Sequence, residues 1–165
     1  MMLIEKLERL KLDRNERAGM INAMRAVMAA DGKIDDREVA LIDEIAKILE
    51  VDLDKEQITT SFPDASDKAT KVNLLGLLYL VSYVDESKHE KEEQVIRDIV
   101  KDLDFSDEDF VEADKKARLY ILEGFLLKNI QEILFTTSKV QQVAELFDLN
   151  DADVKMIIED IIKGK

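Results

Sequence analysis

The chain contains no cysteine, which excludes disulfides, zinc–thiolate centres and thiol nucleophiles at once. Proline and histidine occur once each, as Pro63 and His89. A single imidazole builds neither a typical zinc site nor a convincing serine triad, and no nucleophile elbow surrounds Ser87, Ser106 or Ser138. There is no glycine-rich phosphate loop, and carboxylates are too numerous for any pair to stand out as catalytic, so the reading is non-enzymatic. Positive charge is scarce as well: 24 Lys and Arg face 37 Asp and Glu, a net charge of −13. A nucleic-acid backbone is repelled by that field, whereas cations and basic protein patches are attracted. Long apolar runs are missing too. The most apolar segment, VNLLGLLYLVSYV at 72–84, covers 13 residues, against the roughly 18–20 of a membrane span. The opening MMLIEKLERLKLDRNE alternates charged and apolar residues without the apolar core of a signal peptide. These absences predict a cytoplasmic protein with no membrane partner.

What is present is helical patterning. Apolar residues recur at spacings of three and four, and no segment alternates as a strand does. The pattern predicts helices over 2–10, 14–30, 36–50, 54–61, 67–84, 90–103, 107–124, 127–135, 138–147 and 151–163. No Pro-, Gly- or Ser-rich linker divides the chain, so the expectation is one all-α domain spanning residues 1–165.

The chain also repeats itself. Displaced by 54 residues, DGKIDDREVALIDEIAKILEVD (31–52) lies over DESKHEKEEQVIRDIVKDLDFS (85–106) without a gap. Asp31 then meets Asp85, Glu38 meets Glu92, Ile42 meets Ile96, Ile45 meets Ile99 and Leu49 meets Leu103. Upstream, Met20, Ile21, Met24 and Val27 fall on Leu74, Leu75, Leu78 and Val81, and Asp13 falls on Asp67 as a shared helix cap. Each copy, 13–52 and 67–106, reads as helix, acidic turn, helix. A fainter third echo sets VAELFDLND (143–151) over the helix end IAKILEVDL (45–53). Each hairpin has an apolar stripe to bury, which predicts a helical bundle of two related hairpins with pseudo-two-fold symmetry and additional C-terminal helices.

The acidic turn AADGKIDDREV at 29–39 supports two readings. As a joint, Gly32 takes the left-handed conformation that ends a helix, Ile34 tucks into the core, and Asp35 with Glu38 forms a capping box for the next helix. Asp31 has no such job, and its carboxylate at a helix C-terminus opposes the dipole. As a cation site, oxygen ligands from Asp31, Asp35 and Glu38, joined by Asp85 and Glu92 of the other hairpin, suit Ca²⁺ or Mg²⁺ better than Zn²⁺. An EF-hand is excluded, because placing Gly32 at loop position 6 puts Val27 and Ala29 where oxygen ligands belong.

The run AADGKID with Glu38, followed by LIDEIAKIL, resembles the tellurite-resistance TerB-like family over roughly residues 10–150. The resemblance implies an all-helical domain of two related halves, acidic residues that hold a divalent cation, and an accessory role in tellurite or metal stress. Asp31 and Glu38 match the acidic positions, with Asp85 and Glu92 as their second-half equivalents. The second copy departs from the pattern, with Glu86 for Gly32 and Lys88 for Ile34.

His89, in the second acidic turn, supports two readings, a nitrogen ligand or pH-sensitive group among carboxylates and an exposed polar residue at a helix start. The second is preferred, because its first-copy counterpart is the capping Asp35. The competing function is a metal-free interaction module that uses the acidic face or an apolar surface. Met20, Met24 and Met28 recur at spacing four, and Tyr120, Phe125 and Phe135 lie among aliphatics. A residual apolar patch there would take a protein partner or a second copy of the chain.

Overall fold

The computed structural model describes residues 12–53, 68–84, 89–129 and 137–163. Among them the regular elements are helices: α1 (Arg14–Met28), α2 (Asp36–Ile48), α3 (Lys68–Tyr83), α4 (Glu90–Asp102), α5 (Asp107–Asn129), α6 (Thr137–Leu146) and α7 (Asp151–Lys163). None is long and apolar enough to cross a membrane. The segments predicted as helices over 2–10 and 54–61, and Pro63, lie outside the described residues.

Capping explains several of the boundaries. The Glu16 N–H donates to Asp13 Oδ1 at 2.9 Å while the Asp13 N–H donates to Glu16 Oε2 at 2.7 Å, a reciprocal box that starts α1. Asp35 and Glu38 form the same box for α2. Asn150 and Asp153 repeat the reciprocal bonds at the start of α7. Helix α5 continues through Gly124 to Asn129, where the sequence predicted a break. Its inner face, with Ile121, Leu122 and Leu126 buried, keeps packing across that point and overrides the modest helix cost of a glycine.

The paired positions of the 54-residue register are core residues in both copies. Met20 and Leu74, Ile21 and Leu75, Met24 and Leu78, Val27 and Val81, Ile42 and Ile96, Ile45 and Ile99, and Leu49 and Leu103 are all buried. The three-methionine stripe is therefore no binding groove: Met20 and Met24 are fully buried and Met28 packs against the core. Helix α3 is buried nearly all round and packs against α1, α2, α4 and α5. Packing crosses between the copies in both senses, α1 on α4 and α3 on α2. That reciprocity is the pseudo-two-fold arrangement expected from the repeat.

The third echo is real at the backbone. Glu50, Asp104 and Asp148 follow α2, α4 and α6, and all three are left-handed, with φ of 56°, 49° and 53°. After α2 and α6 the chain closes as a Schellman turn, Val51 N–H to Ala46 C=O and Leu149 N–H to Ala144 C=O, both at 2.9 Å. A basic side chain from the first helix of each pair clamps the corner. Arg17 donates to Leu49 C=O and Glu50, Lys71 to Asp104 C=O, and Arg118 to Asp148.

Candidate metal centre at the joint between the copies

Two helix ends meet where α1 packs on α4. Ala29 caps α1, the chain turns through Asp31 and Gly32, and runs extended into the Asp35 cap of α2. Gly32 has φ of +79°, with open space where a Cβ would stand. Gly32→Ala therefore meets no clash but forces an L-residue into the left-handed region, and is expected to lower stability by about 1 kcal/mol. A thermal melt checks this, and an unchanged midpoint would mean that the turn relaxes freely.

Beyond the glycine, Ile34 is 63% exposed rather than tucked into the core. Helix α2 turns Glu38, Ile42, Ile45 and Ala46 inward, and the extended approach to it leaves Ile34 outside. Asp31 also has local work that its position in the sequence hid, for its Oδ1 accepts the Lys33 N–H at 2.7 Å.

Asp31, His89 and Glu92 each offer a ligand atom, and these atoms lie within 4.8 Å of one another. Asp31 comes from the first copy, while His89 and Glu92 come from the start of α4 in the second. The positive N-terminal end of α4 thus faces a carboxylate that the C-terminal end of α1 disfavours. Glu92 is 2% exposed, and its Oε2 accepts the Ser82 hydroxyl of α3 at 2.9 Å. Burial pushes its carboxyl up to about 7, the charges of Glu38 and Asp31 push the same way, and the Ser82 hydrogen bond and the His89 charge pull it down. The carboxyl holds its proton toward neutrality chiefly because it is buried, and the neighbouring carboxylates add to that.

The remaining predicted ligands fare differently. Glu38 is buried, its Oε2 accepts the Asp35 N–H at 2.8 Å, and it flanks the cluster closely enough for its charge to bear on Glu92. Asp35 lies outside the cluster. Both of its oxygens receive the Arg37 guanidinium, at 2.9 and 3.1 Å, and that contact holds its carboxyl below the usual range. Asp85 lies outside the described residues.

Two members were not among the ligands chosen from sequence: Ser82 was not considered, and His89, preferred as an exposed residue, is half-buried in the cluster. Ser82 could have been, since a hydroxyl in an otherwise apolar buried helix has to find a partner. For His89 the signal was the helix start itself: it is the N-cap of α4 but makes no side-chain capping hydrogen bond, where its counterpart Asp35 does.

Residues 2–55 and 52–115 each match the family model described as tellurite resistance protein TerB. The chain belongs to the TerB family. The repeat units 13–52 and 67–106 fall one within each match, and residues 116–165 lie beyond both. No curated protein and no solved structure matches the chain. Within this TerB chain, the cluster sits where one matched segment meets the other.

Proposed function

We propose that this TerB-family chain is a non-enzymatic accessory protein of tellurite or metal-stress resistance, acting in the cytoplasm, in which a divalent cation ties the two halves together. The observation that carries the reading is the convergence of Asp31, His89 and Glu92 from both copies within 4.8 Å. Donors about 2.0–2.2 Å from a shared ion stand roughly 3.4 Å apart in tetrahedral geometry, a spacing that small rotamer adjustments reach from here. The ion would relieve the repulsion among Asp31, Glu38 and Glu92 and replace the proton that Glu92 otherwise retains.

Chelator-treated protein titrated calorimetrically with Ca²⁺, Mg²⁺, Mn²⁺ and Zn²⁺ at physiological ionic strength is expected to show saturable binding of about one ion. Glu92→Gln is expected to abolish it. Non-saturating heats throughout, or a Glu92→Gln variant that binds as tightly as the parent, would remove the cation from the reading.

A metal-free docking role is supported by different residues. Ile162 of α7 is 77% exposed, with Ile158 one turn before it also exposed, and Ile34 stands out beside the joint. Under that reading, partner capture survives Glu92→Gln and is lost on Ile158→Ser with Ile162→Ser.

A further inference from the structure

The all-oxygen ligand set expected from the acidic turns differs from the set at the joint. Of the residues brought together, two are carboxylates and the third is the chain's only histidine. Ca²⁺ and Mg²⁺ are hard cations that take oxygen shells, whereas an imidazole nitrogen beside carboxylates suits the first-row divalent ions from Mn²⁺ to Zn²⁺.

His89 stands where the first copy has a capping carboxylate and puts a nitrogen donor there instead. It occupies the N-cap of α4 in extended conformation, with φ of −110° and ψ of 116°, yet its side chain makes no capping bond. At the equivalent position of the first copy, Asp35 accepts the Arg37 N–H at 2.8 Å and completes a capping box. A cap of that kind contributes about 1 kcal/mol. Helix α4 forgoes it, and the imidazole stands half-buried against Asp31 and a Glu92 that is only 2% exposed.

We infer that His89 sets the specificity of this joint, making it a site for a borderline first-row transition ion with water completing the shell, rather than for Ca²⁺ or Mg²⁺. This rests on the cation reading and goes beyond it by fixing the class of ion. Asp31 and Glu92 supply charge, and the neutral imidazole supplies the nitrogen that discriminates.

The test uses Zn²⁺ and Co²⁺ against Ca²⁺, on the full chain and on His89→Asp. That substitution gives the second copy the carboxylate of the first and restores a capping residue, whose contribution of about 1 kcal/mol offsets the repulsion added beside Asp31 and Glu92, and a thermal melt in chelator verifies that the variant is folded. The expected result for the parent is saturable Zn²⁺ binding that shifts the single imidazole resonance set in a ¹H–¹⁵N spectrum, with Co²⁺ giving a ligand-field absorption. In His89→Asp, Zn²⁺ affinity is expected to fall by at least about tenfold while Ca²⁺ affinity rises. A parent that binds Ca²⁺ as tightly as Zn²⁺, or whose Zn²⁺ affinity is unmoved by His89→Asp, overturns the specificity and leaves a cation site standing. Absence of saturable binding by every ion overturns both.

Discussion

Arg118→Ala is expected to destabilise the protein by about 3 kcal/mol, the loss characteristic of removing one partner from a largely buried charge cluster. The Arg118 side chain is 13% exposed and works in three directions. Its Nε donates to Asp114 Oδ2 at 3.0 Å, Nη1 to Asp148 Oδ2 at 3.0 Å, and Nη2 to the Tyr79 hydroxyl at 3.2 Å. The guanidinium also lies over the Tyr79 ring, 4.5 Å from its centroid. Tyr79 in turn donates to Asp114, and burial keeps its phenol well above its ordinary range. Truncation leaves the Asp114 carboxylate without its cation and takes from the Tyr79 hydroxyl oxygen the donor it accepts. Arg118→Lys is expected to recover little, because an ammonium cannot serve three acceptors and stack on a ring at once. Asp148→Ala removes only the exposed arm, with a side chain 59% exposed, and should cost no more than about 1 kcal/mol. Urea denaturation of the three variants gives the ranking, and equal midpoints for Arg118→Ala and Asp148→Ala would mean that the buried arms contribute nothing.

The same network explains how the segment beyond the family match is attached. Arg118 and Asp148 both come from beyond residue 115, and Tyr83 of α3 packs edge-on against Phe147 with ring centroids 4.9 Å apart. Tyr83 also donates to Glu93 at 2.7 Å, next in the chain to the Glu92 that Ser82 holds. Adjacent residues of α3 thus fix adjacent carboxylates at the start of α4, one in the candidate centre and one at the seat of the C-terminal helices.

Much of the fold was legible because a repeated sequence reports its own core. A position that is apolar in both copies has a packing role in both, and the register picked out buried pairs from Met20 and Leu74 to Leu49 and Leu103. Even the acidic pair Glu38 and Glu92 obeyed it, both being buried. What escaped were properties of contact between the copies. Spacing within AADGKIDDREV nominated Asp35, whose oxygens are committed to Arg37, and passed over His89, which lies 58 positions beyond Asp31 in the chain. The crossed packing of α1 on α4 brings Asp31 and His89 together, and no local pattern encodes it. Arg118 was hidden for the same reason, since KKARLYIL reads as one more charged helix face until Tyr79 and Asp148 are placed around it.

Between pH 4.5 and about 7 the ion-free protein is expected to lose, as pH rises, stability that a Glu92→Gln variant retains. The Glu92 carboxyl is pushed up from 4.5 to about 7, by burial first, and by Glu38 and Asp31 against the opposing pull of Ser82 and His89. Over that interval the folded state keeps a proton that the unfolded state has released. The contribution is therefore complete below the unfolded value of 4.5 and lost as pH passes through about 7. Glutamine holds the position neutral at every pH and can still accept the Ser82 hydroxyl. At pH 7.5 in chelator, Glu92→Gln is expected to melt higher than the parent by about 2–4 °C, the shift that 1 kcal/mol produces in a chain of this size. A saturating transition ion reverses the order, because the ion takes the place of the proton and binds only the carboxylate. The parent then gains stability with rising pH and melts above the variant. Melting curves of both proteins across pH 4.5–8, in chelator and in Zn²⁺, read this directly. Parent and variant profiles that run parallel in chelator would show that Glu92 is ionised at no cost, and that neither its burial nor its acidic neighbours leave anything for a cation to relieve.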